Sequence, residues 1–233
     1  MRAAAGPQWP GAAFFVVSID GLQFDANCRR CTRLAGFLDT VRSQHPEYFS
    51  RPVPAFGPAD ARLLIVGLAP GLHGANATGR PFTGDYAGIL LYKTLHEFGF
   101  ATRPVSVAAD DGLELIDCRI TNAVRCLPPQ NKPVTDEIDE CNTYLAYELA
   151  CLPKHGVVLA LGTIAHRAIL KARGVRLSKY PFAHAAHHRF DDGRVLIDSY
   201  HCSRYNTQTR RLTTDMFRAV FRAVRLALER DAS

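Results

Sequence analysis

Hydrophobic positions fall along this chain in two rhythms. Four continuous apolar runs, at 62–69 (RLLIVGLA), 115–123 (LIDCRITNA), 157–162 (VVLALG) and 195–200 (VLIDSY), are six to nine residues long. Runs of that length suit strands in the middle of a sheet covered on both faces. Between and around them apolar residues recur at steps of three or four. The segment 27–45 places Leu34, Phe37, Leu38 and Val41 close to one helical face, with Asn27 as a cap. Segments 85–98, 135–152 and 163–173 follow the same logic, and 213–229 closes the series with Met216, Phe217, Val220, Val224 and Leu228. Strands alternating with helices predict an α/β fold, a three-layer α/β/α sandwich around a mainly parallel central sheet of about four strands. In such sheets a ligand site lies beyond the carboxyl ends of the strands, so the segments following each strand carry the candidate chemistry.

Composition narrows this picture without changing it. The 233 residues are 47% hydrophobic, enough to bury a sizeable core, and no long polar linker splits the chain, so 1–233 reads as a single domain. No run of about 18 apolar residues is present, and the apolar stretch AAFFVV at 12–17 is short and lacks a following cleavage pattern. A soluble, cytoplasmic protein with no membrane partner is expected. The net charge is +6, with Lys+Arg 28 against Asp+Glu 22, and most of the basic residues are arginine. Guanidinium groups match phosphate with two parallel donors, so the surplus suits a polyanion, though a solvated surface carries such charge as well. No P-loop lysine and no GxGxxG after a strand are present, which argues against a small zinc-stabilised nucleotide-binding protein.

The seven cysteines are an odd number, awkward for a closed disulfide framework, so clustered thiols point to metal. Cys28 and Cys31 form a CxxC at the opening of a helix. Cys126 and Cys141 bracket a stretch stiffened by prolines at 128, 129 and 133. Two such pairs close a four-thiolate site, and their spacing accepts either tetrahedral zinc or a [4Fe-4S] cluster. Cys118 on a strand and Cys151 on a helix read as ordinary core residues, while Cys202 stands in a loop of its own interest.

Two loops hold the remaining chemistry. The first strand runs into Gly67-Leu68-Ala69-Pro70-Gly71, and glycine and proline at a strand end bring backbone amides close to a ligand. Farther on, GRPFTGD at 79–85 supplies an aromatic ring, a cation and a carboxylate, although Asp85 could simply cap the next helix. The last strand runs into 201–209 (HCSRYNTQT), where an imidazole, hydroxyls and amides surround an arginine and a tyrosine.

Together GLAPG, GRPFTGD, TNAVRC and YHCSRYNTQTRRLT resemble the motifs of the uracil-DNA glycosylase superfamily, in particular its type b or family 5 branch. GLAPG departs slightly from the GLAPA more usual there, and the apolar Leu68-Ala69 pair fits a branch that lacks a polar catalytic residue in this first motif. The resemblance extends from Cys28 to Thr213. It implies a DNA-repair hydrolase that cuts uracil, and also deaminated purines such as hypoxanthine or xanthine, from DNA and leaves an abasic site. It implies Asp85 as the water-positioning carboxylate and His201 as donor to the departing base, with Gly67, Leu68 and Ala69 lining the base site. Phe82 would stack on the base and Asn122 would read its edge; a core aromatic and a strand cap are the plain alternatives. Ser203, Asn206 and Thr207 fall near phosphates, and either Arg204 or Tyr205 wedges into the duplex. Cys28, Cys31, Cys126 and Cys141 match that branch's [4Fe-4S] ligands, with zinc as the alternative. A monomer associated with the nucleoid is expected. The competing function is a non-catalytic protein that senses damaged bases or abasic sites, which would not need the carboxylate of Asp85.

Overall fold

A computed structural model describes residues 24–230; the stretch at 12–17 and the ends of the expected single domain lie outside them. Four strands run parallel: β1 (Leu63–Gly67), β2 (Cys118–Asn122), β3 (Val157–Leu161) and β5 (Val195–Ser199). A fifth, β4 (His187–Arg189), pairs antiparallel to β5 at the edge, giving the order β2-β1-β3-β5-β4. The sheet therefore has one strand more than the apolar runs predict. His-His-Arg offers no apolar signal; β4 pairs at the edge of the sheet and none of its residues is fully buried.

Helices cover both faces, and the period of two along each strand decides what each face buries. Leu63, Ile65, Val157, Leu159, Val195 and Ile197 pack with α3 (Tyr86–Glu97) and α7 (Thr214–Arg230). The intervening Leu64, Val66, Val158, Ala160 and Leu196 pack with α4 (Thr135–Cys151) and α5 (Thr163–Ala172). Strands buried on both faces and helices buried on one stripe yield the α/β sandwich expected. Short helices α2 (Ala75–Thr78) and α6 (Arg204–Gln208) sit in the two loops at strand ends. Among the described residues no helix is long and apolar enough to cross a membrane.

A smaller cluster joins α1 (Thr32–Gln44) to the chain after β2 through Leu34, Leu38, Val41, Val124 and Leu127. Here α1 starts later than its pattern suggested. Cys31 is its cap position, and Asn27 instead donates its backbone N–H to Asp25 at 2.8 Å in a preceding turn. Cys118 is fully buried as expected, but Cys151 is exposed, because it ends α4 on the solvent side while the next residue, Leu152, turns inward.

The register sets up the site. Gly67 pairs with Asn122, and Leu161 with Ser199, so four carboxyl ends finish in one row. β1 has β2 on one side and β3 on the other, and successive connections leave it in opposite directions. That reversal opens a crevice beyond its end. On the β2 flank Glu148 accepts from Arg119 at 2.5 Å and from Arg125 at 3.0 Å, with all but a small part of its carboxylate buried. Glu148→Ala leaves two guanidinium groups without their counter-charge in a poorly solvated place. Unfolding in urea should show a loss of about 3–5 kcal/mol; a loss below about 1 kcal/mol would mean water already screens the triad.

Candidate active site

Gly67 is a glycine for a steric reason. A Cβ there would lie 2.5 Å from Cζ of Phe82, and closer still to Oδ1 of Asn122. Three predicted site residues thus meet at one point. Asn122 is 3% exposed, and its Oδ1 has no hydrogen-bond partner among the described residues. A buried amide oxygen left unpaired costs about 1–3 kcal/mol, and this one lies against Gly67, the residue before the crevice-lining Leu68.

Phe82 is 5% exposed and adopts φ +55°, a left-handed conformation unusual for an aromatic residue. Its neighbours hold it there. Tyr92 donates to the Pro81 carbonyl at 2.7 Å, and the Thr83 and Ser106 hydroxyls meet at 2.7 Å. A Cβ on Gly88 would overlap the Phe82 carbonyl oxygen, so the first turn of α3 closes directly onto this kink. The Phe82 ring faces His201 at 5.9 Å between centroids and 26° between planes. Arg80, the cation of the same motif, turns away. It is 4% exposed and paired with Asp111 at 2.7 Å, so it serves the loop and not a ligand.

Asp85 does two jobs at once. Its Oδ1 caps α3 by accepting from Gly88 N at 2.8 Å. Its other oxygen stands beside the Gly71–Gly74 turn, where a Cβ on Gly74 would come within 2.9 Å of it. Burial raises the carboxyl above its ordinary 3.8, against a pull downward from the N–H groups of Gly88 and Ala87. Gly71 also faces the crevice; a Cβ there would meet only Asp85 Oδ2, at 3.9 Å.

His201 leaves β5 opposite Asp85. Burial lowers its pKa from 6.5 to about 4, so the imidazole is neutral at neutral pH. Its carbonyl accepts from the Asn206 side chain at 2.8 Å. Ser203 caps α6, and the Thr207 hydroxyl donates to the Ser203 carbonyl at 3.2 Å. These polar residues therefore shape the loop first. Ser203 and Asn206 also line the crevice, whereas Thr207 does not. Arg204 lies 5.9 Å from the ring of Tyr86 on the opposite lip, and Tyr205 projects outward, 70% exposed. Next to His201, the Cys202 thiol is fully buried and pushed up by burial and by the nearby Asp85.

Between these walls lies a cleft of about 520 Å³. Leu68, Ala69, Asp85, His201 and Arg204 line it, whereas Gly67, Phe82 and Asn122 meet one another and are not part of the lining. Ile164, Phe182, Tyr200 and Arg211 also line it and escaped sequence reasoning. Tyr200 stacks on His184 at 4.9 Å, and Arg211 sits 4.7 Å over Tyr200. Adjacency to His201 was the available signal for Tyr200. Phe182 carried none, since its segment has no periodic pattern.

On the far side of β2, Cys28, Cys31, Cys126 and Cys141 line one small cavity. The backbone N–H of Arg125 donates to Cys141 Sγ at 3.5 Å. Burial, with Cys141 next, pushes the Cys31 thiol up to about 11. Residues distant in sequence are thus brought together as a thiol set. Arg30 and Glu140 flank it.

Residues 54–225 match the family described as the Uracil DNA glycosylase superfamily. A type-5 uracil-DNA glycosylase of Thermus thermophilus is 49% identical over 206 residues, 86% of this chain and 94% of the relative. One from Pyrobaculum aerophilum is 40% identical over 200 residues, 84% and 87% of the two chains. A type-4 uracil-DNA glycosylase of the same organism is 34% identical over 134 residues, 57% and 60% of the two.

The neutral His201 has a consequence for stability. Between its unfolded value of 6.5 and its folded value of about 4 the unfolded chain takes up a proton that the folded chain refuses. This contribution is complete above pH 6.5 and is lost as pH falls toward 4. Denaturant midpoints measured across that interval should fall less steeply for His201→Gln than for the parent; parallel slopes would show an imidazole that titrates freely.

Proposed function

The chain belongs to the uracil-DNA glycosylase superfamily, in its type-5 branch, and hydrolyses the N-glycosidic bond of uracil in DNA; on that premise we propose that Asp85 and His201 carry the reaction in the cleft beyond β1. The observation that carries this reading is the buried, unpartnered Asn122 Oδ1 set against Gly67 beside Phe82, whose ring faces His201. A uracil base brings the missing donor, its N3–H, and a flat face for Phe82. Extruding the nucleotide costs a few kcal/mol of stacking and pairing. Hydrogen bonds made only once the base leaves the duplex offset that cost and select the base that makes them.

As the glycosidic bond breaks, negative charge gathers on the uracil and positive charge on the sugar. A neutral His201 donates an N–H to the uracil oxygen and stabilises the anion without first losing a proton. Asp85, with one oxygen committed to the helix cap, uses the other to orient water and to face the cationic sugar. Leu68 and Ala69 put no polar side chain into this space. The Leu68-Ala69 pair, the bare Gly71 and a cleft of about 520 Å³ support a broader range that includes hypoxanthine and xanthine. Tyr205, exposed next to the cleft-lining Arg204, suits the wedge, whereas Arg204 is drawn across to Tyr86. Ser203 and Asn206 line the cleft, and the hydroxyl and amide hydrogens that their loop bonds leave over suit phosphates. One domain acting as a monomer in the cytoplasm, near the nucleoid, completes the reading.

Cys28, Cys31, Cys126 and Cys141 fit a resident metal centre, and a [4Fe-4S] cluster suits them better than zinc. Among the described residues no three of these sulfurs lie within 4.8 Å of one another, whereas thiolates on one zinc at about 2.3 Å stand about 3.8 Å apart. Held by these four thiolates, the centre would supply cross-linking, and a hydrolysis needs no redox chemistry from it. Its residues tie α1 and the 126–141 excursion to β2, next to the Asn122 end of the site.

Excision from oligonucleotides containing uracil, hypoxanthine or xanthine, with DNA binding followed separately, tests the roles. Asp85→Asn should slow single-turnover uracil excision about 10²–10⁴-fold, and His201→Ala about 10²–10³-fold, with affinity for DNA retained. Wild-type rates in either variant remove that residue from the mechanism, and inactivity of the parent on every base supports a damage-sensing binder. The purified protein should be brown with visible absorbance, and Cys126→Ser should bleach it and lower thermal stability; a colourless protein holding stoichiometric zinc would replace the cluster.

A further inference from the structure

We propose that His166, His188 and Asp198 form a zinc-binding site, distinct from the cleft and from the four cysteines. Among the described residues theirs is the set of three ligand atoms lying within 4.8 Å of one another. The three come from separate elements, α5, β4 and β5. Asp198 is fully buried, His166 is 2% exposed, and the His188 side chain on the edge strand, 11% exposed, is the most accessible of the three.

The hydrogen bonds orient this set in the manner of a metal shell. His166 Nε2 faces the Tyr180 carbonyl at 2.9 Å, and a carbonyl only accepts, so that nitrogen carries a hydrogen. In a neutral ring the lone pair then sits on Nδ1, aimed at Asp198 Oδ1 at 2.7 Å. Histidines that bind metals commonly donate their second ring N–H to a backbone carbonyl in this way. His188 Nε2 approaches the other oxygen, Oδ2, at 3.2 Å. Nitrogen and oxygen ligands at about 2.0–2.1 Å around tetrahedral zinc stand about 3.3 Å apart. The His188 pair already has that spacing, and the His166 pair needs to open by about half an ångström. Two imidazoles and one carboxylate suit zinc over magnesium or calcium, which prefer oxygen.

The alternative occupant is a second proton on His166, making a buried imidazolium beside Asp198. Ion and proton compete for one place, so they can be told apart. An ion there would fasten the segment 180–186 to the sheet, where Ala185 N already donates to the Asp198 carbonyl at 2.8 Å. That segment carries Phe182, whose ring meets His166 edge-on at 5.5 Å and whose other side lines the cleft.

The test uses the full chain with its cysteine site loaded and chelator removed, titrated with zinc chloride by calorimetry, with metal content read by mass spectrometry. The parent should bind one zinc per chain, and its thermal midpoint should rise with added zinc. His188→Ala, on the three-residue edge strand and outside the cleft, should weaken zinc at least about 10–100-fold and abolish the thermal shift while keeping uracil excision. His188→Cys, which keeps a ligand, should restore binding. No stoichiometric zinc in the parent, or equal zinc in His188→Ala, overturns the site and leaves the imidazolium pair.

Discussion

At Gly67 the backbone of β1 passes so near Asn122 and Phe82 that a single added methyl group would displace one or both. That close approach is the contact from which the rest of the cleft follows. It sets the end of β1 against the end of β2 and holds the Asn122 amide and the Phe82 ring together where β1 runs into the cleft-lining Leu68. The two strands are in register at this level, Gly67 opposite Asn122, and the pairing continues as Ala123 and Val124 donate to the Gly67 and Leu68 carbonyls at 2.9 and 3.0 Å. A floor held by backbone pairing on both sides is stiff. Stiffness is what a site needs if hydrogen bonds to a base are to repay its extrusion from a duplex.

The kink at Phe82 depends on the same packing. Its left-handed backbone costs of order 1–3 kcal/mol, yet the Gly88 turn, the Tyr92 hydroxyl and the buried Arg80–Asp111 pair leave it nowhere else to go. Arg80 shows why a motif's residue types do not give their directions. It supplies a cation to the motif, but its fold-level task is to hold a strained loop from behind. On the β2 side Cys126 and Cys141 pack with α1, and Cys126 follows the strand that ends in Asn122.

Much of the architecture was legible because burial imprints itself on the sequence. Strands covered on both faces became continuous apolar runs, and helices with one buried stripe kept their period. β4 left no such imprint, being three polar residues held by pairing to β5 and by His188 against Asp198. The site was legible as a list of residue types at strand ends. It was not legible as a shape: Phe182 and Ile164 reach the cleft through tertiary placement alone, and Ser203, Asn206 and Thr207 spend their hydrogen bonds on their own loop. Cys151 failed the simplest expectation, because a helix end buries only the positions that point inward.

The same burial acts on both proposed catalytic groups, and its effect on each is opposite in chemical use. Desolvation favours the neutral form of any titratable side chain. For His201 that is the useful form, because a neutral imidazole donates without having to give up a charge, and nothing among the described residues is needed to correct it. For Asp85 the neutral form is useless, since a protonated carboxyl neither orients water as a base nor faces a cationic sugar. The N–H groups of Ala87 and Gly88 at the start of α3 pull its pKa back down, and they do so because Asp85 is the helix cap. The cap and the chemistry therefore do not compete for one side chain: the N–H groups that the cap satisfies favour the charged carboxylate where burial favours the neutral form.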